Sequence, residues 1–183
     1  MGERESQRAY YIDTNILVGL FCEKDLFHEY SKCVFESAKN SNIKLKVLPH
    51  ILGEAIIVIN RKFKENKCTT QELDRTLSKL HNIERSFPPL DLSSYDRNGF
   101  SAFFYSISGQ YERFANEIQY VGVNDFLLLL ATFADRGVRG AIVTESKLLN
   151  SPLIVVLSEI YGVERIIKEA PERIFSKCVH RLH

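Results

Sequence analysis

The sequence has no apolar run long enough to cross a membrane. No uninterrupted stretch approaches the roughly 20 residues that a spanning helix needs. Residues 1–8 are mostly charged or polar, and no signal-type apolar segment follows them. We therefore expect a cytoplasmic protein with no membrane partner.

Paired metal-binding motifs are also missing. The four cysteines, at positions 22, 33, 68 and 178, form no CxxC pair, and the five histidines show no zinc-type spacing. These absences argue against a structural zinc site. We expect the cysteines to be reduced thiols, as in an intracellular protein.

An excess of charge of one sign is lacking as well. The 24 basic and 23 acidic residues give a formal net charge of +1, so no global field attracts nucleic acid. A nucleic-acid partner would therefore have to bind to a local patch of basic residues. With 45% hydrophobic and 26% charged residues, no repeat and no linker, residues 1–183 are predicted to form one globular domain.

Short strands and helices are predicted to alternate along the chain. The apolar pattern and the turn residues place strands at 9–13, 44–48, 139–144 and 163–168. They place helices at 14–20, 25–41, 49–63, 69–85, 100–118, 124–134, 152–161 and 171–179. This alternation predicts an α/β fold with a parallel sheet covered by helices on both faces.

A single carboxylate, Asp13, stands where the first predicted strand meets the first predicted helix, in the stretch YYIDTNIL at 10–17. In open α/β sheets, ligands bind at the carboxyl ends of the strands. Asp13 can either cap the helix through a side-chain oxygen or hold a cation. Taken alone, the motif favours the cap.

Three other acids occupy comparable positions. Glu54 interrupts a helix that is apolar nearly all round, so we expect a buried carboxylate paired with lysine, arginine or a metal. Asp125 stands at a predicted helix N-terminus, which it could cap. Glu145 follows the strand that ends at Thr144, where a solvated turn residue is the simpler interpretation.

Carboxylates that converge at one end of a parallel sheet repel one another. A divalent cation bound by oxygen ligands relieves this repulsion, and magnesium or manganese suits such a site. A metal ion in that position can activate water and stabilise the charge that develops on a phosphodiester.

In this arrangement the chain resembles the PIN domain over about residues 9–168. The resemblance implies a three-layer α/β/α sandwich with a central parallel sheet, and a ribonuclease that hydrolyses RNA phosphodiesters with water activated by Mg²⁺ or Mn²⁺. VapC-type toxins are the simplest members of this family. The resemblance rests on Ile12-Asp13-Thr14-Asn15, Glu54, Asn124-Asp125 before Leu127-Leu128, and Val143-Thr144. By position, the catalytic and metal-binding acids are Asp13, Glu54 and Asp125, and the supporting polar residues are Thr14, Asn15, Asn124 and Thr144.

The sequence departs from the family pattern after the third predicted strand. The family often carries Thr-x-Asp there, whereas this chain reads Thr144-Glu145-Ser146. Ser146 occupies the position of the acid as a further supporting residue, and Glu145 is the remaining candidate for a fourth metal ligand. The alternative is a non-catalytic PIN-like module, impaired at Ser146, that binds RNA or a protein partner.

The chain is also longer than a minimal toxin, with an extra helical insertion predicted at about 61–120. The expected partners are RNA, an antitoxin-like protein and a second copy of the chain. A basic run, 61–67, contains Arg61, Lys62 and Lys64, which either bind RNA phosphates or form a solvated helix end. The aromatic residues between 100 and 114 have almost no basic neighbours, so we expect them in the core or in a homodimer contact.

Overall fold

A four-stranded parallel sheet forms the centre of the molecule. We describe a computed structural model of the chain that covers residues 8–65, 70–71, 74–75, 78, 108–109 and 112–182. The strands are β1 (Ala9–Ile12), β2 (Lys44–Lys46), β3 (Gly140–Ile142) and β4 (Ile166–Lys168), in the spatial order β2-β1-β3-β4. All four predicted strands are present, and each is shorter than predicted.

The described helices connect and cover these strands. They are α1 (Thr14–Phe21), α2 (His28–Asn40), α3 (Pro49–Lys64), α4 (Ala115–Val121), α5 (Val123–Ala134), α6 (Ser146–Leu149), α7 (Leu153–Tyr161) and α8 (Ser176–Val179). A 3₁₀ turn, Arg173–Phe175, precedes α8 and forms part of the helix predicted at 171–179. The prediction of an α/β fold with a central parallel sheet is confirmed.

Strand β1 shows how the sheet is covered on both faces. Consecutive strand residues point to opposite faces, and both Tyr10 and Tyr11 are fully buried. The Tyr10 hydroxyl donates to Glu172 in the C-terminal segment, whereas the Tyr11 hydroxyl donates to Asp135 at the end of α5, each over 2.8 Å. The two tyrosines thus reach two different layers, as a three-layer sandwich requires.

Because its sequence is apolar nearly all round, α3 is predicted to be largely buried, and this prediction is wrong. Only Ile51, Ala55 and Ile59 are fully buried on it, and they recur every four residues along one face. Ile57 is 70% exposed. Since successive residues of a helix point in different directions, a continuous apolar run does not by itself tell which faces have neighbours.

The helices predicted in the region 61–120 are described only in part. Residues 70–71, 74–75 and 78 are helical, in line with the helix predicted at 69–85. Residues 108–109 and 112–113 are helical too, but Phe114 forms a turn and α4 then continues to Val121, beyond the predicted end at 118. All of the aromatic residues between 100 and 111 lie outside the described residues.

A disulfide joins α2 to α8. Cys33 and Cys178 are bonded across 145 positions of sequence, so the prediction of four reduced thiols is wrong for this pair. Local spacing gave no signal, because the two cysteines meet only when α2 packs on the C-terminal segment. Disulfides are uncommon in cytosolic proteins, so this bond counts against the predicted cytoplasmic location.

Among the described helices, none is long and apolar enough to cross a membrane.

Candidate active site

Asp13 ties the carboxyl ends of β1 and β3 together. Its Oδ1 accepts a hydrogen bond from the backbone N–H of Ile16 over 2.9 Å, which caps α1. Its Oδ2 accepts from the backbone N–H and the hydroxyl of Thr144, over 2.7 and 3.0 Å. The capping interpretation is therefore confirmed. The carboxylate has about four acceptor positions, of which these bonds use three, and Asp13 also lines the pocket described below.

The Asp13 carboxyl holds its proton more tightly than an ordinary aspartate. The side chain is only 3% exposed, and this burial raises its pKa to about 6. The hydrogen bonds from Ile16 and Thr144 oppose the rise, and the nearby charge of Glu145 adds to it. These three hydrogen bonds come from neutral groups, so they leave the negative charge itself without compensation.

The backbone conformation of Gly122 positions Asp125, the second acid of the site. It joins α4 to α5 with φ of 103° and ψ of 149°, a backbone conformation that glycine adopts without a Cβ clash. The turn brings Asn124 and Asp125, in the first turn of α5, to the same pocket. Asp125 makes no capping bond, so the interpretation of this residue as a helix cap is wrong.

Lys147 bridges Asp125 and Glu145. Its Nζ lies 3.2 Å from Asp125 Oδ2 and 3.1 Å from Glu145 Oε2. Burial raises the pKa of Asp125 to about 6, and the charges of Glu145 and Glu54 add to this, while Lys147 opposes it. Burial alone would lower the pKa of Lys147, but its bonds to the two carboxylates outweigh that and raise it.

Glu54 approaches the site from α3. Its Oε2 accepts a hydrogen bond of 2.6 Å from the hydroxyl of Thr14, the first residue of α1. The side chain is partly rather than fully buried, and this partner is a hydroxyl instead of the predicted lysine or arginine. The bond to Thr14 holds one oxygen of Glu54 beside the N-terminus of α1.

Asn15 links the two halves of the site. Its Nδ2 donates to the Thr144 hydroxyl oxygen over 3.2 Å and lies 3.5 Å from Glu145 Oε1. The Thr144 hydroxyl in turn donates to Asp13, so a chain of hydrogen bonds runs from Asn15 to the first acid. Of the polar residues predicted to support the site, Thr14, Asn15 and Thr144 therefore contact its acids directly.

The four predicted acids line one pocket of about 510 Å³. It opens at the carboxyl ends of β1 and β3, where the sheet meets the first turns of α1 and α5. Glu145 is part of its wall, although it stands one residue before the position expected from the family pattern. Ser146 is exposed and does not line the pocket. The local turn therefore directs position 145, not 146, towards the other acids.

The donor set suits a hard divalent cation. Carboxylate oxygens are the ligands that Mg²⁺ and Mn²⁺ prefer, and a positive group, the Lys147 ammonium, already lies between two of them. As they stand, the described residues contain no group of three or more His, Cys, Asp or Glu side chains placed to hold a metal ion. A metal would thus require the carboxylates to move closer together.

Two of the three predicted RNA-binding residues reach the pocket. Arg61 and Lys62, at the end of α3, belong to its lining, whereas Lys64 is exposed and does not. Lys62 is held in an ion pair of 2.6 Å with Asp25, whose side chain is only 4% exposed. Arg61 is therefore the better candidate for a contact with phosphate.

Sequence reasoning missed Lys147. The only signal was its place two residues after Glu145, and no spacing rule links it to Asp125 on another helix. No family model matches the chain, and no curated protein or solved structure matches it either. The resemblance to the PIN domain therefore stays a prediction from the sequence.

Proposed function

We propose that this protein is a ribonuclease that depends on Mg²⁺ or Mn²⁺ and hydrolyses RNA phosphodiester bonds. The observation that supports this most is the convergence of Asp13, Glu54, Asp125 and Glu145 on one pocket at the carboxyl end of a parallel sheet. Two of these acids have raised pKa values, which is typical of carboxylates gathered for chemistry or for cation binding.

Each acid has a distinct place in the proposed reaction. Asp13, Asp125 and Glu145 would hold the ion, which when bound supplies a nucleophilic water and stabilises charge on the phosphate. Glu54 is held by the Thr14 hydroxyl at the pocket wall, where its second oxygen can orient a water molecule or accept its proton. Arg61 would attract the RNA backbone at the same opening.

A non-catalytic module is the second candidate. The Lys147 bridge favours it, because an internal ammonium already neutralises part of the acid cluster and such a module needs no metal. It would bind RNA or a protein, for which an antitoxin-like partner or a second copy of the chain stays a prediction. Divalent metal binding distinguishes the two candidates.

Cleavage of a labelled single-stranded RNA with Mn²⁺ tests the enzymatic proposal. Asp125→Asn is the variant to use, because Asp125 caps no helix, whereas Asp13 has a structural role. The rate should fall by about 100-fold or more, since metal stabilisation of the transition state is worth several kcal/mol.

The matched control is Glu159→Gln, which removes an exposed charge on α7 outside the pocket. It should cleave at the wild-type rate. An Asp125→Asn protein that cleaves as fast as this control would rule out the proposed role of the site. A wild-type protein that cleaves equally well in EDTA would rule out the metal.

A further inference from the structure

Lys147 occupies the place between two carboxylates that a cation would take. Asp125 comes from α5 and Glu145 from the segment after β3, and the ammonium lies within 3.2 Å of an oxygen of each. These acids are far apart in sequence, and the fold brings them to one positive group. An ammonium is a compact point charge, so it can stand in for a metal ion between oxygen ligands.

The Lys147 ammonium is accessible to solvent. The Lys147 side chain is 37% exposed, on the four-residue helix α6, and it ends a flexible stem of four carbons. Glu145 is similarly exposed, at 39%, so water competes with this ion pair. Ion pairs at such positions are weak, and a divalent cation with further oxygen ligands can replace them.

We propose that the Lys147 ammonium is an internal counter-ion that a divalent cation displaces, so that metal binding and the Lys147 bridge exclude each other. The inference rests on the proposed metal-binding function and adds a regulatory element to it. In the metal-free protein, Lys147 keeps Asp125 and Glu145 from repelling each other. When the metal binds, the lysine turns outward and the carboxylates become ligands.

Calorimetric titration with Mn²⁺ tests this competition without measuring activity. Lys147→Met keeps most of the apolar stem and removes the ammonium. Its affinity for Mn²⁺ should rise about tenfold, which corresponds to the loss of two partly exposed ion pairs. Lys147→Arg retains a competing charge and should bind Mn²⁺ within about threefold of the wild type.

Lys62→Met is the matched control. It removes a lysine from the wall of the same pocket, but that lysine pairs with Asp25 rather than with the candidate ligands. Its Mn²⁺ affinity should change less than that of Lys147→Met. An equal gain in the two variants would mean a general effect of net charge and would overturn the inference.

Thermal unfolding supplies a second readout. In EDTA, Lys147→Met should melt below the wild type, because Asp125 and Glu145 then lack their counter-ion, and Mn²⁺ should raise its melting temperature by more than it raises that of the wild type. Unchanged or weaker Mn²⁺ binding by Lys147→Met would overturn the inference while leaving the proposed function intact. If neither protein binds Mn²⁺, the proposed function and the inference both fail.

Discussion

Replacing Asp13 with asparagine should change the free energy of unfolding by an amount that depends on pH. In the metal-free protein, burial raises the pKa of Asp13 from 3.8 to about 6, so the folded state binds the proton more tightly than the unfolded state. By linkage, the wild type loses stability as the pH rises from about 4 to 6 and carries the full penalty above that. Asparagine has no such titration.

The size of this change in unfolding free energy follows from the pKa shift of Asp13. About two pKa units correspond to about 3 kcal/mol over the whole range, of which about 2 kcal/mol falls between pH 4.5 and 7.5. A second term is independent of pH. One asparagine oxygen cannot accept from both Ile16 and Thr144, and the unmade hydrogen bond costs about 1–3 kcal/mol. At pH 4.5 the wild type carries only about 1 kcal/mol of this penalty, so the variant should be up to about 2 kcal/mol less stable than the wild type. At pH 7.5 the wild type carries all of it, so the variant should be as stable as the wild type or up to about 2 kcal/mol more stable.

Urea unfolding in EDTA at several pH values between 4.5 and 7.5 measures this difference. Burial raises the pKa of Asp125 to about 6, inside this range, and lowers the pKa of His50. Both groups are present in both proteins, so their effects largely cancel in the comparison. A difference in unfolding free energy that stays constant across this range would refute the account of Asp13 as a buried, uncompensated carboxylate.

Four further predictions concern the disulfide, the pocket wall and two glycines. Reducing the disulfide between α2 and α8 should cost up to about 5 kcal/mol by chain entropy, and a variant with both cysteines replaced by alanine should melt identically with and without reductant. Glu145→Gln should weaken Mn²⁺ binding, because Glu145 lines the pocket. Ser146→Asp should leave the Mn²⁺ affinity unchanged, because Ser146 lies outside the pocket. Unchanged affinity in Glu145→Gln together with a higher affinity in Ser146→Asp would contradict the pocket lining described above. Gly140→Ala should lower the unfolding free energy by about 3 kcal/mol or more, since its Cβ would lie 1.9 Å from a backbone oxygen of β4. Gly53→Ala in α3, where the added Cβ meets nothing within 4 Å, should stabilise the protein by up to about 1 kcal/mol in the same urea assay.

Local sequence signals predicted well where the elements that carry Asp13 and Glu54 begin or end. The change from an apolar strand to a cap-type residue at Asp13 predicts where β1 ends and α1 begins, and the helix starts at Thr14 as expected. Pro49 likewise marks the first residue of α3, because proline fits the first helical turn. Such features depend on neighbouring residues alone, so one sequence is enough to find them.

Long-range contacts could not be predicted in this way. The apolar run of α3 carries no information on which face meets the core, and Ile57 proved to be exposed. Cys33 and Cys178 are paired only by the packing of α2 on α8. Lys147 on α6 reaches Asp125 on α5 only in the folded chain.

Anomalous diffraction from a crystal soaked in Mn²⁺ tests the central claim, that these carboxylates form a divalent-cation site, most directly. The account predicts a manganese peak within coordination distance of Asp13 and Asp125, with the Lys147 ammonium no longer between Asp125 and Glu145. The absence of a peak in this pocket at saturating Mn²⁺, with the Lys147 bridge still in place, would contradict it.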